Sequence, residues 1–216
     1  MDKLARGVVY FEDEVFPAER KAYAALASGQ APHSLVVTCS DSRIELTRMT
    51  QTIPGELFVC RNAGNIIPPF GPHSGGVSAT VEYAVSVLGV QNVIVCGHSD
   101  CGAMKGLLDP ERTASLPAVS AWLQNAERAR AVVTATGPHA SEAAELRLLT
   151  EQNVIAQLDN LRTHASVAAK LATGQLRLHG WMFDIGRGQM SAYDAQANAF
   201  LPFRSVYAEH LEEVRQ

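Results

Sequence analysis

The chain has 216 residues, of which 47% are hydrophobic and 19% charged, and its formal net charge is −4. That is enough for one sizeable core and too little for two full domains. The Lys and Arg residues are scattered, which excludes a basic run for nucleic acid or an anionic membrane. No apolar run approaches the roughly 20 residues that span a bilayer. The acidic N-terminus, with Asp2, Glu12, Asp13 and Glu14, does not read as a secretion signal. The expectation is a cytoplasmic protein with neither nucleic-acid nor membrane partners. Its four cysteines then read as metal ligands, nucleophiles or core residues, not as a disulfide scaffold.

Leu4, Val8, Phe11 and Val15 are spaced as one helical face, and Pro17 suits a break or the first turn of a second helix carrying Tyr23 and Leu26. Residues 1–30 are therefore expected to form a helical arm, and residues 31–216 an α/β domain. Leu35–Cys39 and Leu57–Cys60 read as buried strands, and Gly75–Leu88 as a helix. Asn92–Cys96 is the clearest strand, and a helix starts near Cys101. Helical patterns fit Ala118–Val132 and Ser141–Leu171. Leu176–Phe183 reads as a fourth strand, Gln189–Tyr193 as its short hairpin partner, and Ser205–Val214 as a last helix. Strands alternating with helices predict a mostly parallel central β-sheet flanked by helices, with a short antiparallel edge strand. In such open sheets, ligand sites lie beyond the carboxyl ends of the strands, near a topological switch point. Cys39 closes the first predicted strand and His98 follows the third by two residues, so both head for that edge.

The chemistry concentrates in CSDSR and GHSDCG, which supply Cys39, Asp41, Arg43, His98 and Cys101. Zinc takes thiolate and imidazole ligands in a tetrahedron, and three protein ligands leave the fourth corner for water, as in catalytic sites. Two thiolates and a neutral imidazole cancel the charge of the ion. The bound water is then less acidified than at an all-histidine site and needs help from nearby groups. Asp41 is placed to accept a hydrogen bond from that water or hydroxide, and Arg43 to grip its carboxylate with two prongs.

CxDxR followed by HxxC resembles the β-carbonic anhydrases. The resemblance continues through PGELFVCRNAGNIIPP at Pro54–Pro69, GGVSATVEYAV at Gly75–Val85, VIVCGHSDCGAMK at Val93–Lys105 and LHGWMFDI at Leu178–Ile185. The chain is most similar to bacterial members close to the plant enzymes, including those associated with cyanate metabolism. The resemblance implies reversible hydration of carbon dioxide to bicarbonate and a proton by a zinc-bound hydroxide, with one Zn(2+) per subunit. It also implies a homo-oligomer, whether dimer, tetramer or larger, with active sites at subunit interfaces. Gln30 matches a glutamine that donates to a substrate oxygen, Phe58 and Tyr83 an aromatic pocket lining, Ala63 a small apolar position and Gly102 a backbone position near the metal. One branch of the family has a second bicarbonate site built from a Trp, an Arg and a Tyr. The matching positions here are Val36, Arg61 and Phe183, so only the Arg remains. An open metal site with Asp41 on Arg43, and no bicarbonate switch, is expected.

Taken singly, these residues have plainer readings. Cys39 alone is more often a buried strand residue, and Asp41–Arg43 could be a structural ion pair. Gln30 could be a solvated loop residue, and Phe58 and Tyr83 core. Cys60 and Cys96 read as core, and His33, His73, His164 and His179 as surface or core residues. Two rival functions use the same motif: the zinc centre acting on carbon disulfide or carbonyl sulfide, and a noncatalytic zinc-stabilised oligomerisation module.

Overall fold

A computed structural model describes residues 1–72 and 75–212. His73 and the last residues of the expected C-terminal helix, 213 and 214, lie outside the described residues. Six strands form one sheet: β1 (Ser34–Cys39), β2 (Leu57–Asn62), β3 (Asn92–His98), β4 (Arg177–Asp184), β5 (Gln189–Asp194) and β6 (Ala199–Pro202). Their order is β2-β1-β3-β4-β5-β6. β1 pairs in parallel with both β2 and β3, and β3 with β4, whereas β4/β5 and β5/β6 are antiparallel. From β1 the chain continues to β2 on one side, and from β3 it continues to β4 on the other. The switch point therefore lies between β1 and β3, and the crevice opens at their carboxyl ends.

Two expectations need correction here. His98 is the last residue of β3, not two residues beyond it, since Met182 and Phe183 of β4 pair with Gly97 and His98. The antiparallel edge has two strands, because four residues ending at Pro202 add β6 to the predicted hairpin. Proline has no N–H for the ladder and is tolerated at such an edge.

The strands alternate between two apolar layers. Leu35, Val37, Val93 and Val95 meet Val81 and Val85 of the helix Gly76–Ser86 and Leu158 and Leu161 of the helix Glu142–Arg162. Val36, Ile94 and Cys96 face Ile44, Leu46 and Trp181 on the other side. A third cluster, with Ile66, Met104, Leu107, Leu123 and Leu149, lies directly beneath Cys39 and Cys101. Gly97 is required by close packing: a Cβ there would lie 2.9 Å from a methyl of Val154 and 3.2 Å from one of Thr150.

The arm consists of the helix Asp2–Tyr10, a π-turn Phe11–Val15 and the helix Phe16–Leu26, all continuing in right-handed conformation. The π-turn ends where Phe16 N–H bonds Phe11 O, just before Pro17, which has no N–H to give. The predicted helix Ala118–Val132 is instead Pro117–Leu123 and Glu127–Thr136, joined by a 3-10 turn Gln124–Ala126. Likewise Ser141–Leu171 divides into Glu142–Arg162 and Ala165–Ala172, and the C-terminal pattern into Phe203–Val206 and Ala208–Glu212.

The long helix Glu142–Arg162 is capped by Ser141, whose Oγ accepts from Ala144 N at 3.2 Å. It buries a polar ladder against the loop after β2. Asn153 Nδ2 donates to Gly64 O, Gln157 Oε1 accepts from Ile67 N at 2.8 Å, and Gln157 Nε2 donates to Asn153 Oδ1. Replacing Gln157 by Leu leaves the Ile67 amide and the Asn153 oxygen unpaired in the interior, which costs about 1–3 kcal/mol. Urea unfolding of Gln157→Leu should show a loss of that size, and an unchanged midpoint would contradict the ladder's role.

Candidate metal centre

Cys39 and His98 end neighbouring parallel strands, and Cys101 follows three residues later, at the N-terminal cap of the helix Gly102–Leu108. Their ligand atoms all lie within 4.8 Å of one another, the only such group among the described residues. The two sulfurs are 4.0 Å apart. A tetrahedral ion with metal–sulfur bonds of about 2.3 Å sets its sulfurs about 3.8 Å apart. His98 is buried and its Nδ1 bonds to Ser99 O at 2.9 Å, which leaves Nε2 turned inward without a partner. A buried orphan nitrogen is costly in a finished structure unless something binds it. Sulfur spacing, donor set and orphan nitrogen together fit a metal ion.

The thiols press on one another. The contacts with Cys101, His98 and the Gly64 amide outweigh burial, which acts the other way, and hold the Cys39 thiol well below its ordinary range. The contact with that charge, with burial, drives the Cys101 thiol upward. Burial alone lowers the His98 pKa, but its contacts with Cys39 and Asp41 outweigh that and raise it. A divalent cation relieves the strain by neutralising both sulfurs. Gly64 N–H reaches Cys39 Sγ at 3.5 Å from a backbone with φ +80°, and Asn153 holds its carbonyl.

Asp41 stands at the rim. Its Oδ2 is 3.9 Å from His98 Nε2, and both of its oxygens belong to Arg43: Nε to Oδ1 at 2.9 Å and Nη2 to Oδ2 at 2.8 Å. The Arg43 backbone N–H adds a bond to Oδ1. The Arg43 hydrogen bonds hold the Asp41 carboxyl well below the usual carboxylate range. Arg61 lies beside the same loop and donates to Cys39 O at 3.1 Å and to Ile44 O at 2.7 Å. Sequence reasoning did not single out Gly64, Asp100 or Lys105. Asp100 accepts from Arg43 and pairs with Lys105.

A carbonic anhydrase family model matches residues 34–190. The chain is 50% identical over 212 residues to a carbonic anhydrase of Pseudomonas aeruginosa, covering 98% of this chain and 94% of that one. Carbonic anhydrase 1 of Escherichia coli O157:H7 is 45% identical, over 94% and 92% of the two chains. The solved β-carbonic anhydrase CcaA superposes with a TM-score of 0.91 at 40% identity, over 94% of this chain and 98% of that one. The chain belongs to the β-carbonic anhydrase family. Among its solved relatives are two tetrameric β-carbonic anhydrases from Sordaria macrospora, matched at TM-score 0.77 and 28% identity over 89% of this chain and 97% of the other.

Within one carbonic anhydrase chain the expected site residues divide into two groups. Cys39, His98, Cys101, Asp41 and Arg43 converge, with Ala63 and Gly102 next in sequence to Gly64 and Cys101. Gln30, Phe58 and Tyr83 do not join them. Gln30 is exposed and precedes the opening end of β1, whereas Cys39 closes it. Phe58 pairs in register with Leu35 and stacks at 6.1 Å on Tyr83, while Cys39 pairs with Asn62, four residues farther along β2. At about 3.3 Å per residue that separation is about 13 Å. Cys96 is buried, which pushes its thiol up to about 12, and Cys60 is shifted the same way by burial. His33, His164 and His179 bond to Ser34, Pro68 and Asn92 and stay away from the centre.

A Cβ on Gly64 would meet Ala103 Cβ and Met104 Cε at 3.0 Å, at a φ that L side chains avoid. Gly64→Ala should therefore withdraw the amide from Cys39 and weaken divalent-metal affinity about tenfold. Competition against a chromophoric chelator measures this, and wild-type affinity would contradict it.

Proposed function

We propose that this chain hydrates carbon dioxide reversibly to bicarbonate and a proton, using one zinc ion per subunit held by Cys39, His98 and Cys101. The observation that carries the reading is the convergence of two sulfurs and an unpartnered imidazole nitrogen beside a carboxylate already gripped by Arg43. Zinc suits sulfur and nitrogen donors, and three protein ligands leave a fourth corner for solvent. When bound, zinc supplies acidified water, a nucleophile near neutral pH. Asp41, held ionised by Arg43, is an acceptor at the rim that orients a proton-bearing reactant and leaves the fourth corner free. Cys39 and Cys101 belong to a buried apolar cluster with Ile66, Met104 and Leu107, which keeps both sulfurs out of bulk water.

The same geometry supports an enzyme without a bicarbonate switch. Val36 is buried among Ile44, Ile94 and Cys96, and Phe183 packs against that cluster. The remaining member of the set, Arg61, is engaged by two backbone carbonyls of the loop that follows Cys39.

The chain acts as a homo-oligomer in the cytoplasm, and Gln30, Phe58 and Tyr83 complete the pocket of a neighbouring copy. Their distance from their own metal centre supports this, as does the exposure of Leu4, Val8, Val9 and Tyr10 along the arm. None of the described helices is long and apolar enough to cross a membrane.

The test is a carbon dioxide hydration assay with zinc measured in the same sample. The expected result is stoichiometric zinc and rapid hydration, both lost in Cys101→Ser. Asp41→Asn should keep zinc and lose about 100-fold in rate, the scale of a positioned acid–base group. Full activity in Asp41→Asn would remove that carboxylate from the mechanism, and zinc-loaded wild-type protein without hydration would overturn the proposal.

A further inference from the structure

The two loops that carry the metal ligands are tied together by one chain of charges. Arg43 lies on the loop after β1 and grips Asp41 with Nε and Nη2. Its Nη1 crosses to the loop after β3 and donates to the Asp100 carboxylate at 3.1 Å, while Nη2 also reaches the Asp100 carbonyl at 3.3 Å. The other Asp100 oxygen pairs with Lys105, on the helix that begins just after Cys101. Asp100 holds this place with φ +60°, a left-handed conformation that Asp and Asn tolerate better than most residues. The order is therefore Lys105, Asp100, Arg43, Asp41, with charges alternating toward the metal centre.

We infer that Asp100 is a positioning residue: oriented by Lys105, it anchors the Arg43 guanidinium so that Arg43 keeps both oxygens of Asp41 away from the fourth corner of the metal site. The inference rests on the proposed Asp41–Arg43 pair and adds what holds that pair in place. The Arg43 side chain is 43% exposed. An exposed Arg–carboxylate pair on its own is weak, because water competes and the long side chain regains its rotamers. A second anchor on another chain segment removes that freedom. The alternative position for Asp41 is close, since its Oδ2 already lies 3.9 Å from the unpartnered His98 Nε2. A carboxylate released by Arg43 needs only a small rotation to become a fourth ligand, and that would close the site.

The experiment loads the full chain with cobalt(II), confirms one ion per chain, and titrates azide by the change in the metal's visible absorption. Azide reports on the fourth corner without any catalytic turnover. The key variant is Asp100→Gly, because glycine accepts the left-handed backbone without strain and removes the anchor. Azide affinity should fall roughly fivefold, about the worth of an exposed charge network. This direction is diagnostic, because deleting a nearby negative charge by itself favours an anion. Asp100→Asn keeps the backbone conformation and one acceptor for Arg43, so it should fall between wild type and glycine. It also decides the matter if the glycine variant fails to hold cobalt. In an Asp41→Ala background, Asp100→Gly should have no weakening effect, since no carboxylate remains to occupy the corner. Unchanged or tighter azide binding in both Asp100 variants would overturn the inference while leaving Asp41–Arg43 standing. Equal weakening with and without Asp41 would overturn it too. Failure of the underlying pair shows separately, as full hydration activity in Asp41→Asn.

Discussion

The parallel pairing of β1 with β3 is the constraint on which the rest depends. It sets Cys39 and His98 at the ends of adjacent strands, on the edge where the chain changes direction across the sheet. Cys101 needs no further long-range placement, because it caps the helix that leaves the same strand end. Once this ladder forms, two sulfurs and a nitrogen are crowded into a buried space. The crowding disfavours two bare thiolates side by side, and a divalent cation neutralises both. The fold therefore stores at one edge a polar cluster whose charges balance when a metal ion is bound.

Two arginines, Arg43 and Arg61, brace the chain beside this cluster through separate sets of contacts. Arg61 takes the carbonyls of Cys39 and Ile44 and fixes the path of the backbone. Arg43 takes the carboxylate of Asp41 and reaches across to Asp100. Arginine suits both tasks, since its planar fork donates in several fixed directions at once. Farther out, Asn153 and Gln157 hold the loop containing Gly64, so the amide beside Cys39 is fixed from within the core.

Much of this was legible in the sequence. Leu35–Cys39 and Asn92–Cys96 stood out because both sheet faces bury them, leaving nearly unbroken apolar runs. The ligands stood out because Cys, His and Cys at those positions have few common uses together. Other features were hidden for physical reasons. β6 has four residues and ends on proline, so it reads as a turn. Asn153 and Gln157 look like a solvated helix face in sequence and are fully buried in the structure. Asp100 is one acid between two ligands, and neither its left-handed backbone nor its link to Arg43 leaves a mark in the letters. Gln30, Phe58 and Tyr83 matched the family pattern in sequence, yet no pattern within one chain could reveal that they lie away from their own metal centre.

The central claim is that the centre holds zinc through three protein ligands while Asp41 remains with Arg43. A crystal structure of the zinc-loaded protein at neutral pH, with the ion located by anomalous scattering, tests it most directly. The account predicts zinc bonded to Cys39, His98 and Cys101, a solvent ligand in the fourth position, and Asp41 still paired with Arg43. Zinc ligated by the Asp41 carboxylate, with Arg43 turned away, would contradict it.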